Sequence, residues 1–113
     1  MNLSVIICTH NPRKDYLTRV LQALKAQTLP KDQWELLLID NASDQELARS
    51  WDLSWHPHGR HIREDKTGLN FARARGFAEA QGEICALFNA ISQSRSMRTS
   101  RCGHASSTMR EGW

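Results

Sequence analysis

Two clusters of polar residues each close a short apolar run. Thr9-His10-Asn11 follows Val5-Ile6-Ile7-Cys8, and Asp40-Asn41-Ala42-Ser43 follows Leu36-Leu37-Leu38-Ile39. Hydroxyl, imidazole, amide and carboxylate groups gathered in this way can hydrogen-bond a polar ligand, and an imidazole can also stack on a planar one. Each cluster taken singly also reads as turn chemistry. Thr9 and Asn11 suit turn and cap positions, and Asp40 and Asn41 suit turns in which the side chain bonds nearby backbone. A second set, His56, His58 and His61, has a spacing that could suit zinc or nickel. It lies in a Pro/Gly loop with no cysteine or local carboxylate to complete four ligands, which argues against a native metal site. Cys8 and Cys85 fall in apolar runs with no assigned histidine or acid partner, the pattern of buried, inert thiols. Trp51 and Trp55 read as a hydrophobic patch over a sheet edge rather than a sugar-stacking platform.

Phosphate-binding loops of the familiar kinds are missing. The six glycines, at 59, 68, 76, 82, 103 and 112, form neither GxGxxG nor GxxxxGK[ST], which disfavours a dinucleotide-binding dehydrogenase and a P-loop NTPase. A nucleotide bound here needs a metal or basic side chains to meet its diphosphate charge.

The elements that must position the polar clusters alternate between strand and helix. Residues 3–8 and 34–39 are β-branched or leucine-rich runs that read as buried strands. Asn11-Pro12 suits a helix cap followed by the first helical position. Leu17, Val20, Leu21 and Leu24 then recur at helical spacing on one face, and Leu29-Pro30 ends that helix. Ser43 and Glu46 have capping-box spacing, which predicts a short second helix. A weak third strand centres on Ile62, over about residues 60–64. Residues 68–81 are Ala-rich and read as a helix ended by Gly82, and 83–88 form a fourth strand. The order β-α-β-α-β-α-β predicts a mostly parallel sheet with helices on both faces. Ligands of such sheets sit beyond the carboxyl ends of the strands, where both polar clusters fall.

The chain has 113 residues, a length for one small domain. It is 40% hydrophobic and 24% charged, which argues against wholesale disorder. No apolar run is long enough to span a bilayer, and Met1 leads straight into a strand without a basic n-region, so the expected compartment is the cytoplasm. Three cysteines without a CxxC argue against a disulfide framework. Residues 1–88 hold 11 basic and 11 acidic side chains, so the whole charge of +3 lies in 89–113. That tail is rich in serine and arginine and sparse in apolar residues. Composition therefore predicts an irregular segment, disordered or out of frame. Its arginines lack interleaved aromatics, so nucleic acid is not the expected partner.

The pieces SVIICTHN, LKAQTLP after an amphipathic helix, WELLLIDNASD and TGLNFARARGFAEAQGEI resemble, in order and spacing, the N-terminal half of a family 2 glycosyltransferase, over about residues 3–88. The resemblance implies a Rossmann-like βαβαβαβ half of a GT-A domain. It also implies an enzyme that transfers a sugar from a nucleotide-diphosphate donor to an acceptor hydroxyl. Thr9, His10 and Asn11 match the Thr-aromatic-Asn that cradles the donor's base and ribose, with His10 where a ring stacks on the base. Asp40 and Asn41 match the acidic turn whose second residue reads the base, here an amide. Gly68, Ala72, Arg73 and Gly76 match a Gly…Ala-Arg-Asn-x-Gly stretch, with Ala74 replacing the Asn. Arg73 would face a donor phosphate; the plainer alternative is a solvated helix face paired with Glu79 or Asp65.

The resemblance stops after Phe88. The family continues into an Asp-x-Asp loop that holds Mg²⁺ or Mn²⁺ on the diphosphate, whereas here no aspartate follows Asp65. The family's catalytic base and acceptor-binding half have no counterpart either, so the chain implies no catalytic residue and no metal ligand of its own. The expectation is a truncated, frame-shifted reading of a longer enzyme: residues 1–88 are a partial GT-A domain, 89–113 a tail, and the chain is inactive alone. Membrane docking of a full-length parent stays open. The competing expectation is a small non-catalytic nucleotide-binding or regulatory α/β domain with a basic interaction tail.

Overall fold

The computed structural model describes residues 2–91 and 94–101. Strand β1 (Leu3–Thr9) leads into helix α1 (Lys14–Lys25), and a 3-10 turn (Lys31–Gln33) precedes β2 (Trp34–Asn41). A second 3-10 turn (Leu47–Arg49) comes before β3 (Gly59–Glu64), which is followed by helix α2 (Leu69–Glu79), β4 (Ile84–Ile91) and β5 (Ser94–Arg101). The sheet order is β3-β2-β1-β4-β5. The first four strands are mutually parallel, and β5 joins β4 antiparallel.

The central strands are apolar at successive positions because both of their faces are covered. Side chains alternate between the faces. Val5, Ile7, Leu36 and Leu38 meet Leu17, Leu21 and Leu24 of α1. Ile6, Cys8, Leu37 and Ile39 meet Leu69 and Ala72 of α2. Each of these leucines or isoleucines contributes about 1.5–3 kcal/mol by leaving water. The α1 stripe is as the spacing predicts, with Val20 partly buried against the same cluster. No helix among the described residues is long and apolar enough to cross a membrane.

Two local expectations are corrected. Asn11-Pro12 does not open the helix; Arg13 occupies the cap position of α1 without a side-chain bond. Asn11 instead turns through φ 45° and bonds the neighbouring loop. The Ser43–Glu46 capping box and its helix do not form, and only the Leu47–Arg49 turn follows β2. The amide N–H groups of Ser43 and Leu47 are taken by the Asp40 carboxylate, which fixes an open loop there. The sequence of elements thus has one helix fewer than predicted, although each face of the sheet still carries one.

The expectation of an irregular tail from residue 89 is also corrected. β4 runs on to Ile91, and residues 94–101 pair with it from Ile91↔Ser94 to Ile84↔Arg101. Ladder bonds use only backbone N–H and C=O groups, so a stretch poor in apolar residues can still complete an open sheet edge. The rest of the tail, 92–93 and 102–113, lies outside the described residues. Cys85 is disulfide-bonded while Cys8 is free. The odd number of cysteines forbids a complete framework but not a single bond.

Candidate functional site

Thr9 and Asp40 are register neighbours at the carboxyl ends of β1 and β2. The two polar clusters therefore share one rim, as a parallel pairing of these strands requires. Beyond them both chains turn through left-handed non-glycine residues, Asn11 at φ 45° and Ala42 at φ 56°. Such conformations cost about 1–3 kcal/mol each and persist where surrounding bonds enforce them. Here the bonds run between the two loops. The Asn11 N–H donates to Ser43 Oγ at 2.9 Å, and the Asp44 N–H donates to Asn11 Oδ1 at 2.8 Å.

Asp40 is buried and its carboxylate serves the loop that follows it. Oδ1 accepts from the Ser43 N–H at 3.1 Å, and Oδ2 accepts from the Leu47 N–H at 3.1 Å and from Arg63 Nη1 at 3.0 Å. Arg63 stands opposite Asp40 in the β2–β3 register. Its Nη2 also donates to the Ser43 carbonyl at 3.1 Å and its Nε to Asp65 at 3.0 Å. The hydrogen bond to Asp65, and then the charge of Asp40, hold the guanidinium above its ordinary pKa.

Asn41 is fully buried. Its Nδ2 donates to the backbone carbonyls of Glu64 at 3.1 Å and Lys66 at 2.7 Å, while its Oδ1 accepts the Gly68 N–H at 2.8 Å. The side chain thereby ties the end of β2 to the loop before α2. Gly68 has φ 138°, a conformation that disfavours any side chain at this position. His10 is half-buried at the rim, with Nδ1 2.6 Å from the Asn41 carbonyl and Nε2 3.3 Å from Asn11 Nδ2. Thr9 is fully buried beside it.

Arg73 does not lie on a solvated face. It is 3% exposed on the inner side of α2. The acids weighed as its partners are engaged elsewhere: Glu79 pairs with Arg60 and Arg75, and Asp65 with Arg63. Arg73 lies near enough to Cys8 for its charge to act on the thiol. Burial pushes the Cys8 pKa up to about 12, and Arg73 opposes that rise. The buried cation is therefore within electrostatic reach of Cys8 in β1.

A cleft of about 440 Å³ adjoins the latched loops and is lined by Asn11, Lys14, Ser43, Asp44 and Trp51 among others. Its size is within the range of small-molecule sites. Trp51 packs against the α1-side core, and its Nε1 donates to Thr18 Oγ1 at 3.4 Å. Two of the three loop histidines have structural partners. His56 is buried edge-on to Trp34, with ring centroids 4.2 Å apart, and its Nδ1 accepts the His58 N–H at 2.9 Å. His61 Nε2 lies 2.8 Å from the Trp51 carbonyl. Among the described residues, no three His, Cys, Asp or Glu side chains gather as a metal site.

The structure thus brings Thr9, His10, Asn11, Asp40 and Asn41 to one rim and buries Arg73 on α2 within electrostatic reach of Cys8. Sequence reasoning placed Ser43 in the second polar cluster but missed Arg63 and Asp44 as members of this constellation. Arg63 was legible only through strand register, because pairing β3 with β2 is what sets it opposite Asp40.

Residues 4–90 match the sequence model of glycosyl transferase family 2. Glycosyltransferase AglE of Haloferax volcanii is 30% identical over 90 residues, covering 77% of this chain and 29% of that protein. S. aureus TarS 1-349, solved in complex with UDP-GlcNAc, has a TM-score of 0.66 at 22% identity over 80% of this chain and 26% of its own. The mannosyltransferase PcManGT from Pyrobaculum calidifontis, solved with GDP-Man and Mn²⁺, has a TM-score of 0.67 at 25% identity over 79% of this chain and 27% of its own. The chain therefore spans less than a third of the length of each of these proteins.

Proposed function

This chain belongs to glycosyl transferase family 2, and we propose that residues 1–88 are the nucleotide-sugar-binding half of a GT-A domain. The reaction of the whole enzyme is transfer of a sugar from a nucleotide-diphosphate donor to an acceptor hydroxyl. The observation that carries the proposal is the shared rim: Thr9 and Asp40 in register, with both following loops latched through Asn11, Ser43 and Asp44. Thr9, His10 and Asn11 form the nucleoside side of the site. Asp40 and Asn41 hold the second loop and the approach to α2 in place. Arg73, buried on α2, supplies positive charge toward the diphosphate.

A divalent cation in such a reaction neutralises the leaving nucleoside diphosphate. The described side chains do not fit one: no ligand cluster exists among them, and no aspartate follows Asp65 in the sequence. We therefore derive no step through a metal and assign no catalytic base. The residues present bind and orient the donor, and the chain alone binds nucleotide without turnover. The family match ends at residue 90, close to the composition break after residue 88. We place the reaction in the cytoplasm, where nucleotide-sugars are supplied.

Calorimetric titration of the 113-residue chain with UDP, dTDP and GDP tests the reading. Weak, saturable binding of at least one, abolished in a Thr9→Val/Asn11→Ala variant that melts like the parent, is the expected outcome. Absence of binding by every nucleotide at millimolar concentration refutes it.

A further inference from the structure

We infer that the cavity where the loop before β3 meets that strand binds a small neutral polyol, with His56 as hydrogen-bond donor and His61 as acceptor. The inference stands apart from the nucleotide-binding reading, because none of Thr9, His10, Asn11, Asp40, Asn41 and Arg73 lines this cavity.

The cavity has a volume of about 340 Å³, and its walls include Arg49, Ser50, Trp51, Asp52, His56 and His61. That size suits a small molecule. The loop that carries His56 is fixed by its own backbone. The His56 N–H donates to the Leu53 carbonyl at 3.0 Å, and the His56 carbonyl accepts the Gly59 N–H at 3.1 Å. Gly59 admits this close turn, since an added Cβ would meet the Leu53 carbonyl oxygen at 2.9 Å.

Two ring nitrogens on these walls, His56 Nε2 and His61 Nδ1, are buried without a hydrogen-bond partner. The other nitrogen of each ring settles what the orphan can do. A backbone N–H only donates, so the 2.9 Å bond from His58 N–H to His56 Nδ1 leaves the proton on Nε2. Burial, and then the charges of His58 and Lys31, hold this ring below the ordinary histidine pKa, which keeps it in that neutral form. A backbone carbonyl only accepts, so the 2.8 Å contact of His61 Nε2 with the Trp51 oxygen places the proton there. His61 Nδ1 is then a lone pair. The cavity wall thus holds one unused donor and one unused acceptor.

A hydroxyl group serves both, since its oxygen accepts from His56 and its hydrogen donates to His61. Neither nitrogen touches solvent, so a ligand reaches them as the wall yields, and the two bonds gained favour that movement. Further hydroxyls would meet Ser50 and the Asp52 carboxylate at the same walls. An anion would face the His61 lone pair and the Asp52 charge. A metal ion would need a lone pair at His56 Nε2, where the proton resides, and the described residues gather no third ligand.

Long-range ¹H–¹⁵N spectra of the unmodified 113-residue chain at pH 7.5 test the inference. Both His56 and His61 should show the Nε2–H tautomer. Titration with xylitol, an open-chain polyol, and with methyl glucoside, a sugar ring, should shift His56 Nε2 and His61 Nδ1 saturably at millimolar concentration for at least one of them. His61→Phe keeps a planar wall without the acceptor and should weaken that binding about tenfold, the scale of one net hydrogen bond. Should that variant unfold, the spectra of the unmodified chain decide alone. Shifts that grow linearly with polyol and are equal at all five histidines overturn the inference. So does a proton on His56 Nδ1, or a response of the two rings to Zn²⁺ or acetate at lower concentration than to either polyol. Failure of nucleotides to bind the chain leaves the inference intact, and failure of the polyols leaves the nucleotide-binding reading intact.

Discussion

Asn41 and Asp40 show how two residues suited to ligand recognition can be used up by the loops they organise. The polar cluster after the second strand was plain in the sequence, but its use was not. An amide or carboxylate at a strand end suits both a ligand and a turn, and only the positions of the Glu64 and Lys66 carbonyls decide between them. Replacing Asn41 with Asp should therefore be severe. A carboxylate would face two carbonyl oxygens in a buried site, costing roughly 3 kcal/mol of stability by urea denaturation. Arg63→Lys keeps the charge but loses the fork that joins Asp40, the Ser43 carbonyl and Asp65. The side chain is about one-third exposed, so the expected cost is only about 1 kcal/mol, read from the same denaturation curves.

At the scale of elements, the apolar stripe of α1 and the runs of β1 and β2 were legible because burial imposes their periodicity directly. The boundaries of α1 and the loop after β2 were not, since both depend on the latch between loops 32–33 residues apart. Helix α2 lies close on β1 at Gly76, where an added Cβ would meet Ile6 Cγ2 at 2.6 Å. Gly76 matches a glycine of the family's stretch, and here that glycine admits the helix to the sheet. Gly76→Ala should cost about 1–3 kcal/mol by overpacking, despite the better helix propensity of alanine. A melting temperature equal to or above the parent's would refute that account of the position.

For the whole molecule, the sheet of mostly parallel strands is closed on one side by β5 and left with β3 at its other edge. The loop before β3 is anchored by buried His56, whose pKa burial lowers below 6.5. Below pH 6.5 the unfolded chain takes up a proton that the folded chain resists. This contribution to stability is therefore complete above that pH and is lost as pH falls toward the folded pKa. Thermal melts at pH 7.5 and 5.5 should show a drop on acidification that is smaller in His56→Gln. An unchanged drop would assign the acid sensitivity to other groups.

The sequence by itself determined the α/β class, the two buried strands, the stripe of α1 and the two polar clusters, because each is written in residues adjacent along the chain or repeated at a fixed spacing. Only the tertiary structure decided which polar atoms remain for a ligand. Asn41 is taken by a loop more than twenty residues away, Arg63 meets Asp40 through strand register, and Arg73 is buried rather than solvated. The pairing of residues 94–101 with β4 was likewise beyond reach of composition. A side chain's chemistry is local, but whether its hydrogen-bonding capacity is already satisfied depends on whatever the fold brings against it.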